Sequence, residues 1–124
     1  MRDFLIIAGI VSTITWGSFT SLKFYERMNE TMKVEFGALE EHFRDDEEKE
    51  KIIQRIEDFW LNVEKWLIIL QDHASIGNIE NDLYECIHHS REGDFSHFKL
   101  YKDKVLAGFD DIIKREKLLL VDVL

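Results

Sequence analysis

The sequence predicts an all-α protein, in which a long N-terminal membrane-anchor helix continues into a small antiparallel bundle of about four helices. Three observations lead to this fold class. The 124 residues include no proline and only six glycines, so the chain has few built-in helix breaks. Apolar residues recur at spacings of three and four, which is the period of one helix face. Hydrophobic residues make up 45% of the chain, enough to form a core.

The N-terminal stretch from Phe4 to Leu22 contains no charged residue. As a helix, 19 residues span about 28 Å, close to the hydrocarbon thickness of a bilayer. We therefore assign residues 1–22 to a transmembrane signal anchor and residues 23–124 to an extracytoplasmic helical bundle. Two alternatives remain, a cleaved signal peptide and a buried helix of a soluble protein. Cleavage is disfavoured because the stretch has no clean small-x-small site.

Small residues recur every four positions within this segment, at Gly9, Thr13, Gly17 and Ser21. In a membrane helix such a stripe lets a second helix approach closely. The alternative is that these residues only lower the hydrophobicity of the segment. The predicted partners are therefore the lipid bilayer, through residues 4–22, and another membrane protein or a second copy of the chain.

The anchor helix is predicted to continue to about Phe43, because one apolar face runs on without a break. Its members are Tyr25, Met28, Met32, Phe36, Leu39 and Phe43. A run of charged residues follows at 44–51. It has neither the spacing nor the turn glycine of a calcium loop, so we interpret Asp45 or Asp46 as the cap of the next helix.

The stretch from Trp60 to Ile79 is the one around which the body is organised, and the second helix leads into it. Its apolar face is predicted to comprise Ile52, Ile56, Phe59, Val63, Trp66 and Leu70, widened by Ile53, Trp60 and Leu67. Leu61, Ile68 and Ile69 fall outside this face, which predicts a central helix with neighbours on several sides. Trp60 and Trp66 are candidate interaction residues.

Two further helices complete the predicted bundle. The third carries Ile76, Ile79, Leu83, Cys86 and Ile87, with Ser75 as its expected cap. Gly93 ends this helix and Asp94 caps the fourth. The fourth carries Phe95, Phe98, Tyr101, Val105, Phe109, Ile112 and Ile113. The apolar tail at 118–124 is expected to pack on the bundle or to bind a partner.

Charge and cysteine content exclude several function classes. The formal net charge is -9, which repels nucleic acid and anionic lipid headgroups. Cys86 is the single cysteine, so the chain has neither an internal disulfide nor a cysteine-rich zinc site. We interpret Cys86 as a core residue.

Two groups of residues could form a catalytic or metal-binding site. Asp72 and His73 form either an acid/base or ligand pair at the mouth of the bundle, or a helix-end cap, and we favour the cap. The Glu85-x-x-His88 spacing resembles one of the two Glu-x-x-His motifs of a carboxylate-bridged di-metal site. Asp94-x-x-His97 is only a loose second copy of that motif. We therefore predict a non-catalytic protein without a cofactor. The alternative is a metal-dependent enzyme or metal-binding bundle that uses Glu85/His88 and Asp72/His73.

The chain resembles a bacterial family known as domain-of-unknown-function family 4363. The resemblance is carried by Trp66 with Asp72-His73, by Ile76, Ile79 and Leu83, and by the tail from Leu118 to Leu124. Asp122 stands where the family often has Asn. The resemblance implies a single-pass protein of the bacterial cell membrane and no reaction. The expected function is thus a binding or accessory subunit of the cell envelope.

Overall fold

The computed structural model describes residues 2–71 and 73–123; side chains are described except those of residues 2–4, 7, 9–19 and 123. Four α-helices account for nearly all of this range. They are α1 (Arg2–Glu41), α2 (Asp46–Leu70), α3 (His73–Arg91) and α4 (Phe95–Val123). The predicted all-α class and the number of helices are confirmed for the part of the chain that is described.

The four helices form an antiparallel bundle in which each packs against two neighbours. The contacting pairs are α1 with α2, α2 with α3, α3 with α4, and α4 with α1. This cyclic order follows from the short connections, which force consecutive helices to run side by side in opposite directions. The α3–α4 pairing is the most extensive and the α2–α3 pairing the least. The bundle is therefore tightest on the α3–α4 side.

The helix ends lie where capping chemistry predicts, with one exception. Asp45 caps α2, because its side chain accepts a hydrogen bond from the Glu48 backbone N–H at 3.3 Å. Gly93 closes α3 with φ +76°, a conformation that L side chains rarely adopt, and Asp94 caps α4. The exception is Ser75, which lies inside the first turn of α3 because that helix already begins at His73.

The predicted inner faces of α1 and α3 are confirmed, since every residue named for them is buried. The face of α4 is confirmed from Phe98 to Ile113, whereas Phe95 is 40% exposed. Cys86 lies in the core, and its thiol is 3.7 Å from the Phe98 carbonyl oxygen. Burial raises the pKa of this thiol to about 12. The thiol is therefore protonated and unreactive at neutral pH.

Of the nine residues predicted for the inner face of α2, seven are buried or packed against the core, and Trp66 and Leu70 lie outside it. Ile53, Trp60 and Leu67 are almost fully buried, whereas Trp66 and Leu70 are exposed. Helix α2 is contacted from more than one side, as predicted, because it packs on α1 and α3, but Leu61, Ile68 and Ile69 stay exposed. Helix α2 has two overlapping apolar stripes, which share Ile56 and Val63. The packing of α1 and α3 decides which of the two stripes is buried.

Candidate functional site

One end of the bundle carries a concentration of exposed apolar side chains, which we call the apolar end. It comprises the last turns of α2 and the last turns of α4. Its exposed members are Trp66, Ile68, Ile69, Leu70, Leu118, Leu119 and Val121. Each is at least 42% exposed, and Ile69 reaches 74%. Many exposed apolar side chains at one end of a bundle are typical of a surface that contacts a partner or a membrane.

Gln71 shows that these residues lie at the same level of the bundle. Its side-chain amide donates to the Tyr25 hydroxyl at 3.0 Å and to a Glu116 carboxylate oxygen at 2.8 Å. The C-terminal ends of α2 and α4 thus meet α1 around Tyr25. Desolvation of the buried Tyr25 hydroxyl raises its pKa. The hydrogen-bonded hydroxyl therefore stays neutral at neutral pH and links three helices.

Helix α1 extends beyond this end. Among the α1 side chains that the structure describes, Leu22 is the first in the bundle core, and the helix continues from there back to Arg2. Leu5, Ile6 and Ala8, whose side chains are described, are all exposed. About 20 residues of helix, or roughly 30 Å, therefore lead away from the apolar end. The exposed side chains of α2 and α4 therefore lie at the end of the bundle from which α1 leaves.

The tail at 118–124 belongs to the same surface. As far as Val123 it forms the last turns of α4, with no separate segment folding back. Leu120 packs against the core, while Leu118, Leu119 and Val121 project into solvent. Among the tail side chains that the structure describes, at 118–122, the expected packing on the bundle is seen for Leu120 alone.

The charges of the protein are distributed unevenly along the bundle. The sequence segments that build the apolar end, 22–30, 61–79 and 112–124, contain six Lys or Arg and six Asp or Glu. Segment 35–58, at and near the opposite end, contains four Lys or Arg and ten Asp or Glu. The apolar end is thus close to neutral, and the negative charge is concentrated away from it.

The other candidate interaction residues that the structure describes are Trp60, Ser21 and His73. Trp60 is buried, and its indole N–H donates to Glu80 at 3.4 Å, so it does not form part of an exposed surface. Ser21 is half-buried and His73, the first residue of α3, is exposed. The side chains of Gly9, Thr13 and Gly17, and the whole of Asp72, lie outside the described residues.

Of the described residues of the alternative metal site, Glu85, His88 and His73 are not found together in a group that could hold a metal ion. The Glu85 carboxylate lies 3.4 Å from Nε2 of His89, one position beyond His88. His88 is exposed and lines a groove of about 390 Å³ between α2 and α3. His73 and His88 are 15 residues apart on one helix, which corresponds to roughly 22 Å. A single site therefore cannot use both His73 and His88.

Across the α2–α3 interface two carboxyl groups face each other. Glu64 on α2 and Glu80 on α3 share a hydrogen bond, which is the main reason that the pKa of Glu64 is raised. Desolvation contributes less, because this side of the bundle is open to solvent. Such a pair stabilises the interface only while one carboxyl group holds a proton.

A cluster that the sequence did not identify joins His89, Asp94 and His97 at the corner between α3 and α4. The Asp94-x-x-His97 spacing was visible in the sequence. His89 could not be added to it, because its position depends on the turn at Gly93 and on the packing angle of α3 against α4.

No protein-family model, curated protein or solved structure matches this chain. The resemblance to domain-of-unknown-function family 4363 therefore stays a prediction. Over the residues that the structure describes, none of the helices has both the length and the apolar character required to traverse a bilayer.

Proposed function

We propose that this protein is a single-pass protein of the bacterial cell membrane that acts as a non-catalytic binding or accessory subunit. Residues 4–22 anchor it in the bilayer, and the acidic bundle is presented on the extracytoplasmic side. The proposed family resemblance agrees with this location and with the lack of a reaction.

The apolar end is the observation that carries this proposal. Its exposed residues lie at the end from which α1 leaves the bundle toward the uncharged segment. In an anchored protein this end faces the membrane, where Trp66 and the aliphatic side chains of α2 and α4 contact the interfacial region. The acidic opposite end then faces away from the anionic headgroups that would repel it.

Membrane association is tested by fractionating cells that express the full-length chain. We expect the wild type to stay in the membrane pellet through high-salt and carbonate washes. The double variant Ile10→Lys/Ile14→Lys is expected to move to the supernatant, because each lysine at the centre of a span costs about 2.5–3.5 kcal/mol. The mass of the recovered protein distinguishes an anchor from a cleaved signal peptide.

The matched control for this experiment is Val34→Lys/Leu61→Lys, which adds the same charge at exposed positions of the bundle. It is expected to fractionate like the wild type. A wild-type protein released by carbonate, or equal release of both double variants, contradicts the proposed anchor.

The accessory role is tested by crosslinking in the native membrane, followed by mass spectrometry. We expect one specific membrane protein to be captured, and the yield to fall when Gly9→Leu and Gly17→Leu remove the small-residue stripe. Gly37→Leu is the control, since a side chain added at Gly37 meets open space. Capture of the chain alone would indicate self-association instead, and capture that is equal in all variants would exclude the stripe as the contact.

A further inference from the structure

The corner between α3 and α4 brings together three side chains with metal-binding atoms. His89 lies near the end of α3, Asp94 caps α4, and His97 lies in the first turn of α4. One Asp94 oxygen accepts the His97 backbone N–H at 3.2 Å. The other lies 2.6 Å from Nδ1 of His97 and 3.9 Å from Nδ1 of His89. The cap therefore leaves one carboxylate oxygen directed at two imidazoles.

The distances within this cluster suit a small divalent ion. The three ligand atoms all lie within 4.8 Å of one another. Ligands at about 2.0–2.2 Å from a tetrahedral zinc ion are about 3.3–3.6 Å apart, so the observed separations lie on both sides of this value. The side chains of His97 and Asp94 are 56% and 39% exposed. Because both side chains are partly exposed, rotation about their side-chain bonds is expected to bring the three donors together on an ion.

The carboxylate of Glu85 is a second feature that supports a metal site at this corner. Nε2 of His89 lies 3.4 Å from Glu85, which leaves Nδ1 on the side of Asp94. Histidines that bind metal commonly donate their other ring N–H to a carboxylate, which sets the tautomer and the ring orientation. The His89 ring is also stacked on Tyr101, with ring centroids 5.4 Å apart and planes 8° apart. The His89 ring is thus placed by Glu85 at Nε2 and by Tyr101 on one face, and Nδ1 is left toward Asp94.

We propose that His89, Asp94 and His97 bind a transition-metal ion of the zinc, cobalt or nickel class, with Glu85 as a positioning residue. Imidazole and carboxylate donors suit these ions, and three protein ligands leave a position for water. Because His89 lies on α3 and the other two ligands on α4, the bound ion links the ends of these helices. This site differs from one built on Glu85 and His88, and it does not depend on the membrane anchor.

The test is a zinc titration of the full-length, untagged protein in detergent, after removal of bound metal by a chelator. Calorimetry is expected to give one zinc per chain, and zinc is expected to raise the Tm. His89→Ala and His97→Ala should each weaken binding at least tenfold. Asp94→Asn is the sharper variant, because asparagine caps helices as well as aspartate does but lacks the charge. Glu85→Gln should weaken binding by about tenfold.

The control variants are His88→Ala, at the neighbouring position, and His73→Ala, at the opposite end of α3. Both are expected to bind zinc like the wild type, and circular dichroism verifies that every variant is folded. The site is disproved if the wild type binds less than one zinc per chain, or if the folded Asp94→Asn and His89→Ala proteins bind as tightly as the wild type. Equal losses in His88→Ala and His89→Ala would also disprove it.

Discussion

Replacing Trp60 with alanine is expected to lower the free energy of unfolding by about 3–5 kcal/mol, whereas Trp66→Ala changes it by less than about 0.5 kcal/mol. Trp60 is 1% exposed, packs against Phe109 with ring centroids 6.3 Å apart, and donates its indole N–H to Glu80. Its removal leaves a cavity and takes one hydrogen-bond donor away from Glu80. Trp66 is 60% exposed, so its removal leaves no cavity.

The measurement is denaturant-induced unfolding of the two variants and the wild type, followed by far-ultraviolet circular dichroism in the same detergent. The two substitutions remove the same side chain from the same helix, so each serves as the control for the other. Equal losses of stability, or a larger loss for Trp66→Ala, would show that α2 packs with the face that its sequence first suggested.

Gly108→Leu is expected to lower the free energy of unfolding by about 1–3 kcal/mol, because it overpacks the closest approach of α3 and α4. A Cβ atom at Gly108 would lie 2.7 Å from Cγ1 of Ile79, a contact that real Cβ atoms essentially never make. The clashing atom is near the base of a buried, β-branched side chain, so it cannot easily move aside. Helix α4 must shift away from α3 instead.

The control for this substitution is Gly37→Leu in α1, where nothing lies within 4 Å of an added Cβ. It is expected to stabilise the protein by about 0.5–1 kcal/mol, because leucine is the better helix former. The same denaturant experiment measures both. If Gly108→Leu is as stable as Gly37→Leu, the two helices are further apart than the structure indicates.

Local patterns sufficed for much of this architecture. The inner faces of α1 and α3 were predicted residue for residue, because in each helix only one apolar stripe runs at spacings of three and four. The sequence also predicted the helix caps at Asp45 and Asp94 and the end of α3 at Gly93. Capping depends only on neighbours within about four residues, so it can be predicted from local sequence. Burial of Cys86 followed from its place on the stripe of α3.

Contacts between residues on different helices could not be predicted from these local patterns. In α2 two stripes overlap, and the choice between Trp60 and Trp66 depends on the positions of α1 and α3. The apolar end joins the last turns of α2 and α4, which are separated by some 50 residues of sequence. His89 meets Asp94 and His97 only because Gly93 turns the chain back on itself.

The sequence by itself therefore determined four helices, most of their ends and most of their inner faces, since spacing along a chain specifies which side chains share a face. Only the tertiary structure decided which tryptophan is buried, which apolar side chains stay exposed at one end, and which histidines meet a carboxylate. Those features depend on how separate helices are rotated and aligned against one another, and that is set by the packing of all four helices together.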